Sequence, residues 1–407
     1  MSKKYIEEYE VGFSPRLVME EASRCLLCLD APCSQSCPAG TDPAKFIRSL
    51  RFKNVKGAAE TVRVNNVLGA ICARVCPTER YCQAGCSRTG IDKPIDIGRI
   101  QRYITDFEDA TKMDILETLP ENGKKVAVVG SGPSGLTAAA ELAKKGYKVT
   151  IYEESSKAGG YLRYGIPEYR LPNKVVDKEI DRIVKLGVDI VLNTRVGDAI
   201  SLEQLKKENG AVILATGMNK GKMLPMFENN RKVVLAVDWL KKTKDRKGNV
   251  KVPSNVLVIG GGDVAMDVVT SLKLLGCPHV TDVVYEQFSE FRASKKELQG
   301  AQAEGVTIID GYVPTAVARG GIVKFKHREI PSELKIKADL IILAVGQVSD
   351  VSGLDVKLVR GEVDADGCQI KGTNVFFAGD IAHGEKTVVW GVRTGKDVAE
   401  AVAKFLK

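Results

Sequence analysis

The segment Val126–Gly135 reads VAVVGSGPSG, and Val256–Asp267 reads VLVIGGGDVAMD. Each is a β-branched run, a glycine turn and then helix-favouring residues, the opening of a dinucleotide-binding βαβ unit. In the first copy Gly130 permits the tight turn, Gly132 lets a pyrophosphate approach the backbone, and Gly135 lets helix and strand pack closely. The helix that starts through Ser131, Pro133 and Ser134 offers unpaired N–H groups and a positive dipole to phosphates. Glu153 ends the next strand, 21 residues after Gly132, where a carboxylate can accept hydrogen bonds from a ribose diol. In the second copy Gly260, Gly261 and Gly262 lead into Asp263, Val264 and Ala265, with alanine in the third glycine's place. Glu286 ends the run TDVVYE, 24 residues after Gly262. An acid there binds a 2′-hydroxyl and repels a 2′-phosphate, and Gln287 adds no positive charge, so NADH is the expected ligand. Arg292 is near enough in sequence to keep NADPH open.

Outward from this repeat, the chain of 407 residues divides by composition. From Lys124 onward short β-branched runs alternate with helical stretches, the pattern of a parallel α/β sheet. Before it, residues 1–115 form a cysteine-rich α-helical region with helical patterning over Lys45–Asn65 and Ile97–Phe107. The polar stretch Glu108–Gly123 reads as a linker. Hydrophobic residues make up 44% and charged residues 27%, so the chain is expected to be soluble, without a membrane span. No apolar signal core follows the N-terminus, and a cytoplasmic location is expected. The formal net charge is +9, but no basic block of the nucleic-acid-binding kind occurs, so no nucleic-acid partner is expected.

Ten cysteines are present, eight of them between Cys25 and Cys86. A reducing compartment and dense local spacing favour metal ligation over disulfides. One run is Cys25, Cys28, Cys33 and Cys37, ending in Cys-Pro; the other is Cys76-Pro, Cys82 and Cys86, with Cys72 just before it. Such spacing suits [4Fe–4S] clusters, and zinc is the rival ligand. Coupling to two dinucleotide sites favours iron–sulfur, since zinc carries no electrons. Seven cysteines leave two full sets one short; spacing leaves open whether Cys72 or a non-cysteine residue completes them.

Near the C-terminus, Phe377-Ala378-Gly379-Asp380 resembles the second flavin motif of two-dinucleotide-domain flavoproteins. The resemblance implies FAD at the first turn, with Asp380 toward the ribityl chain and Lys386, Thr387 and Val388 near the flavin ring. Ala344-Val345-Gly346 resembles the turn that approaches the nicotinamide, and Ala215-Thr216-Gly217 is its counterpart in the first unit. Only three histidines exist, and His383, after Asp380, reads as a surface residue.

Taken together, CLLCLDAPCSQSCPAGTDPAKFIRSL, GAICARVCPTERYCQAGC, PIDIGRIQRYITDFE and YGIPEYRLP resemble the flavin and iron–sulfur half of dihydropyrimidine dehydrogenase. More closely, the chain resembles the separate bacterial subunit of the NAD-dependent form, the PreT type. Glutamate synthase small subunits share the first cysteine run and both dinucleotide motifs, but their second run is shorter between its first two cysteines. The resemblance implies two Rossmann-like domains, FAD-binding over 124–235 and 338–407 and interrupted by an NAD(P)H-binding domain over 236–337. It adds Tyr161 and Arg170 to the FAD set. It also implies crossed cluster ligands: Cys25, Cys28, Cys33 and Cys86 for one cluster, and Cys37, Cys76, Cys82 and Gln101 for the other. Cys72 is then a buried structural thiol. The chain ends at Lys407 without the FMN-binding barrel of the long animal enzymes, so a separate FMN/iron–sulfur subunit (PreA type), in a heterotetramer, is the expected partner for pyrimidine reduction.

Overall fold

The structure, a computed structural model, describes residues 3–359, 362–363, 367–382 and 384–407. His383 lies outside the described residues.

The cysteine-rich region is helical. The expected helix over Lys45–Asn65 is two helices, Pro43–Arg51 and α1 (Val55–Asn65). Lys53 takes φ +60°, and Asn54 caps the new start by accepting a 2.8 Å bond from the Gly57 amide. Next come α2 (Gly69–Val75) and α3 (Ile97–Ala110), the latter capped by Asp96. Along α3 the buried stripe runs Ile97, Ile100, Gln101, Ile104, Thr105, Glu108, a helical period. It packs with Phe46, Ile47, Leu50, Ala58 and Val62 in one apolar core. The linker therefore begins beyond Ala110, because Glu108 belongs to that stripe.

A parallel sheet follows: β1 (Lys125–Val129), α4 (Pro133–Lys144), β2 (Lys148–Tyr152), α5 (Asn173–Lys185), β3 (Asp189–Val191) and β4 (Ala211–Leu214). A second parallel sheet contains β5 (Val233–Leu235), β6 (Asn255–Ile259), α6 (Asp263–Leu274), β7 (His279–Val283), α7 (Lys295–Ala303) and β8 (Thr307–Ile309). The antiparallel meander β9 (Tyr312–Ala318), β10 (Ile322–His327) and β11 (Glu333–Lys337) comes next, then β12 (Leu340–Leu343). The chain closes with β13 (Val375–Phe377) and α8 (Val388–Phe405). Strand order is β13-β4-β1-β2-β3 in the first sheet and β5-β12-β6-β7-β8 in the second. In both, the glycine turn leaves the carboxyl end of the central strand, where ligands bind in such sheets.

Two short runs fall outside the boundaries expected from sequence. β5 and β12 pair in parallel inside the second sheet, β12 against both β5 and β6. A four-residue apolar run satisfies either sheet equally well, so only its pairing decides where it belongs.

The chain forms two compact units. The smaller comprises the N-terminal segment to Tyr9, Tyr164–Pro172 and Asn219–Val348. The larger comprises Glu10–Arg163, Asn173–Met218 and Ser349–Lys407, so the cysteine region and the first sheet share it. Within the larger unit, fully buried Arg63 on α1 donates to Glu108 on α3 at 2.7 Å and to Glu179 on α5 at 2.8 Å. It also donates to the Val67 carbonyl at 3.0 Å, and Glu179 accepts from the Ala70 amide at 3.2 Å. Such a network holds only with every member in place. Among the described residues no helix is long and apolar enough to cross a membrane.

Candidate functional site

The first turn is built by close approach. Gly130 takes φ +101°, and a Cβ there would stand 2.5 Å from the Ala215 carbonyl oxygen. A Cβ on Gly135 would stand 2.0 Å from the Gly130 carbonyl oxygen. A Cβ on Gly132, the N-cap of α4, would meet nothing within 4 Å, so open space lies where a phosphate would sit. Glu153 is buried and fully engaged. One oxygen accepts from the Ser131 amide at 3.1 Å and from the Ser131 hydroxyl, the other from the Ser155 amide at 2.8 Å. The Ser131 hydroxyl in turn accepts from the Gly159 amide at 2.9 Å, which brings the Gly159-Gly160-Tyr161 turn against Gly132.

The flavin motif joins the same place. A Cβ on Gly379 would collide with the Ser134 hydroxyl, and one on Gly391 of α8 would stand 3.0 Å from Pro133. The N-terminal part of α8, capped by Thr387, thus lies beside that of α4, with Lys386 and Val388 flanking the cap. Burial raises the Asp380 carboxyl to about 6, against the pull of Lys386. Tyr81 reaches this loop from the cysteine region: its hydroxyl donates to Glu385 and also bonds Thr387. Arg170 lies in the smaller unit, paired with Asp267 at 2.7 Å and Glu297 at 3.0 Å.

The second turn repeats the first with a looser acid. Gly260 takes φ +152°, and its Cβ would stand 2.4 Å from the Ala344 carbonyl oxygen. Gly262, the N-cap of α6, again opens on free space. A Cβ on Gly261 would meet Val284 at 2.4 Å and Glu286 Oε2 at 3.0 Å. Glu286 pairs with Arg292 at 3.2 Å, and the arginine side chain is 82% exposed. Asp263 accepts from the Ser294 amide at 2.6 Å, and Val264 follows it at the start of α6. The Ala344-Val345-Gly346 turn leaves β12, with Gly346 at φ +105° accepting from the Lys222 amide at 3.0 Å.

The cysteines gather as two groups. Cys25, Cys28, Cys33 and Cys86 line one pocket with Ala31, Ile47 and Ile97. Cys37, Cys72, Cys76 and Cys82 bear on one another's charge, and Cys33 of the first group also bears on Cys82. Among the described residues no group of three or more His, Cys, Asp or Glu side chains is placed to hold a metal ion. Four thiols ringing a pocket suit the wider span of a cluster. Burial pushes the Cys33 thiol up to about 11 and Cys72 to about 12, and raises Cys76 and Cys82 as well. Thiolates at these buried positions would need a positive charge beside them, which cluster iron would supply. Cys72 bonds the Asn66 side chain. Gln101, which sequence alone reads as a surface amide, is buried, and its Nε2 donates to the Gly69 carbonyl at 2.8 Å. α3 packs along α2, the helix that carries Cys72. Cations attend both groups. Arg51 donates to the Cys25 carbonyl at 3.0 Å, and Lys396 donates to the Ala39 carbonyl at 2.8 Å. Tyr81, Asn66, Arg51 and Lys396 carry no motif, and sequence reasoning passed over them.

Two dinucleotide turns, one thiol-ringed pocket and a second group of thiols define a pyridine-nucleotide oxidoreductase that combines flavin with iron–sulfur centres. Residues 2–113 match the family model for dihydropyrimidine dehydrogenase domain II, 4Fe-4S cluster, and residues 124–399 that for pyridine nucleotide-disulphide oxidoreductases. The chain is 52% identical to the NAD-dependent dihydropyrimidine dehydrogenase subunit PreT of Salmonella typhimurium, across 100% of this chain and 98% of that one. The glutamate synthase [NADPH] small chain of Azospirillum brasilense is 30% identical, across 98% and 91%. FprA from Mycobacterium tuberculosis shares the fold, with a TM-score of 0.60 and 18% identity over 71% of this chain and 85% of that one. The chain belongs to the family of PreT subunits of NAD-dependent dihydropyrimidine dehydrogenase. FAD, NAD(H) and [4Fe–4S] clusters are its cofactors.

Proposed function

We propose that this chain is the electron-input subunit of a cytoplasmic NAD-dependent dihydropyrimidine dehydrogenase. FAD belongs at the turn of Gly130, Gly132 and Gly135, NADH at that of Gly260 and Gly262. Two clusters are held by the crossed cysteine sets, with Gln101 as the eighth ligand. The partner is an FMN/iron–sulfur subunit, in a heterotetramer, that reduces uracil and thymine to 5,6-dihydro products. The observation that carries this reading is the full-length identity of 52% to a subunit so named, joined to two glycine turns that both leave room for a phosphate.

Flavin exchanges a hydride with nicotinamide and single electrons with clusters, which the nicotinamide does poorly alone. The chain's own residues bind and orient. Glu153 fixes the first turn by holding Ser131 and Ser155. Glu286 stands at the edge of the second, where a ribose hydroxyl would replace its weak pairing with Arg292. Thr387 and Tyr81 fix the loop ahead of α8. Hydride transfer requires no acid or base.

Anaerobic purification with associated proteins, followed by assay of NADH oxidation, tests the proposal. The isolated chain should reduce an artificial acceptor but not uracil, and uracil reduction should appear when the copurified FMN subunit is added. Uracil reduction by the chain alone, or copurification with a glutamate synthase large subunit, would overturn it.

A further inference from the structure

Each cysteine group has a cation beside it, but the two cations come from different places. Arg51 follows the first cysteine run by only a helix, and its charge favours the thiolate of Cys25. Lys396 belongs to α8, the helix whose start lies at the flavin motif. Its Nζ donates to the Ala39 carbonyl at 2.8 Å and the Asn65 carbonyl at 3.0 Å. Ala39 is two residues past Cys37, and a Cβ on Gly40 would stand 3.7 Å from the same nitrogen. Cys37 and Glu141 attract the ammonium, Lys144 and Arg393 repel it, and desolvation lowers its pKa. A lysine drawn partly out of water onto two carbonyls, one of them two residues past a thiol, is costly unless its charge has a use.

We propose that Lys396 is the counter-charge of the second cluster, raising that cluster's midpoint potential so that it accepts an electron from the flavin. One electron enters the cluster and no bond is made or broken; the positive charge stabilises the reduced form over the oxidised one. A unit charge several ångströms away at a protein-like dielectric changes the reduced-to-oxidised ratio by roughly tenfold. Because α8 also closes the flavin motif, one helix would both shape the donor's site and set the poise of the acceptor. The inference rests on Cys37 being a ligand of the second cluster.

The test is an EPR-monitored dithionite titration of anaerobically purified holoprotein. Lys396→Met should leave the second cluster roughly tenfold less reduced at the wild-type midpoint, while the first cluster titrates as before. Lys396→Arg should restore the wild-type curve. Should methionine cost the cluster, Lys396→Gln, which keeps a donor but no charge, gives the same reading. Equal shifts in both clusters, no shift in either, or arginine behaving as methionine would each overturn the role. Cys37→Ser should change the second cluster's signal; if it does not, the ligand assignment fails, a result distinct from failure of Lys396 itself.

Discussion

The two glycine turns share strand order, backbone shape and open phosphate space, and they part at the acid. Glu153 is buried and spends both oxygens on its own loop. Glu286 is partly exposed and holds only a mobile-length arginine at the surface among its described ion pairs. A carboxylate already saturated by N–H and O–H donors stiffens a turn before any ligand arrives. A carboxylate with a solvent-exposed partner gives that partner up cheaply. The contrast matches the proposed sites, with a resident FAD at the first turn and an NADH that comes and goes at the second.

Alanine in place of the first glycine of each turn tests that contrast most strongly. Both positions have positive φ and a carbonyl oxygen within 2.5 Å of the new Cβ. Gly130→Ala should purify without flavin absorbance. Gly260→Ala should retain FAD, lose flavin reduction by NADH, and still bleach with dithionite. Loss of FAD from Gly260→Ala would erase the distinction between resident and visiting sites.

The sheets themselves differ at one matched position. Val128 pairs with Ile151 in the first, and Val258 with Asp282 in the second. Both partners are buried, and neither oxygen of Asp282 has a hydrogen-bond partner. Burial raises its pKa well above the usual carboxylate range. A carboxyl with a raised folded-state pKa contributes most below the unfolded value near 4, and stability falls as pH climbs toward the folded value. Copying the first sheet with Asp282→Ile should stabilise the protein by about 1–3 kcal/mol near neutral pH. The urea midpoint should rise, and the gap to wild type should widen from pH 5 to pH 8. A gap that narrows with rising pH would contradict the assignment.

The smallest effect concerns cofactor choice. Glu286→Arg should move the NADPH-to-NADH ratio of kcat/KM by roughly tenfold toward NADPH, the scale of one charge at a phosphate. Steady-state rates with each nucleotide read this directly, and an unchanged ratio would remove Glu286 from the ribose site.

The glycine turns were legible in sequence because positive φ and carbonyl approach admit few residues, so the chemistry is written in the residue type. The two cysteine runs were legible for the same reason, thiol spacing being short-range, but spacing did not show Cys86 joining Cys25, Cys28 and Cys33. What sequence could not supply is long-range. Tyr81 meets Glu385 across 304 residues, and Lys396 meets Ala39 across 357. Arg170 sits in a segment rich in flavin-family resemblance, yet takes Asp267 and Glu297 as partners. β12 could have joined either sheet by its composition, and only hydrogen bonding to β5 and β6 places it.

Arg63 has a consequence for inheritance. Its guanidinium joins two helices of the cysteine region to α5 of the flavin-binding part, with no exposed surface on the arginine or on Glu179. A protein engineer cutting between 111 and 124 would sever no strand, yet would part the buried Arg63 and Glu108 from Glu179, leaving Glu179 with Arg182 at 2.8 Å. A chimera between relatives that swaps either side of 111–124 should therefore carry residues 63, 108, 179 and 182 as a set.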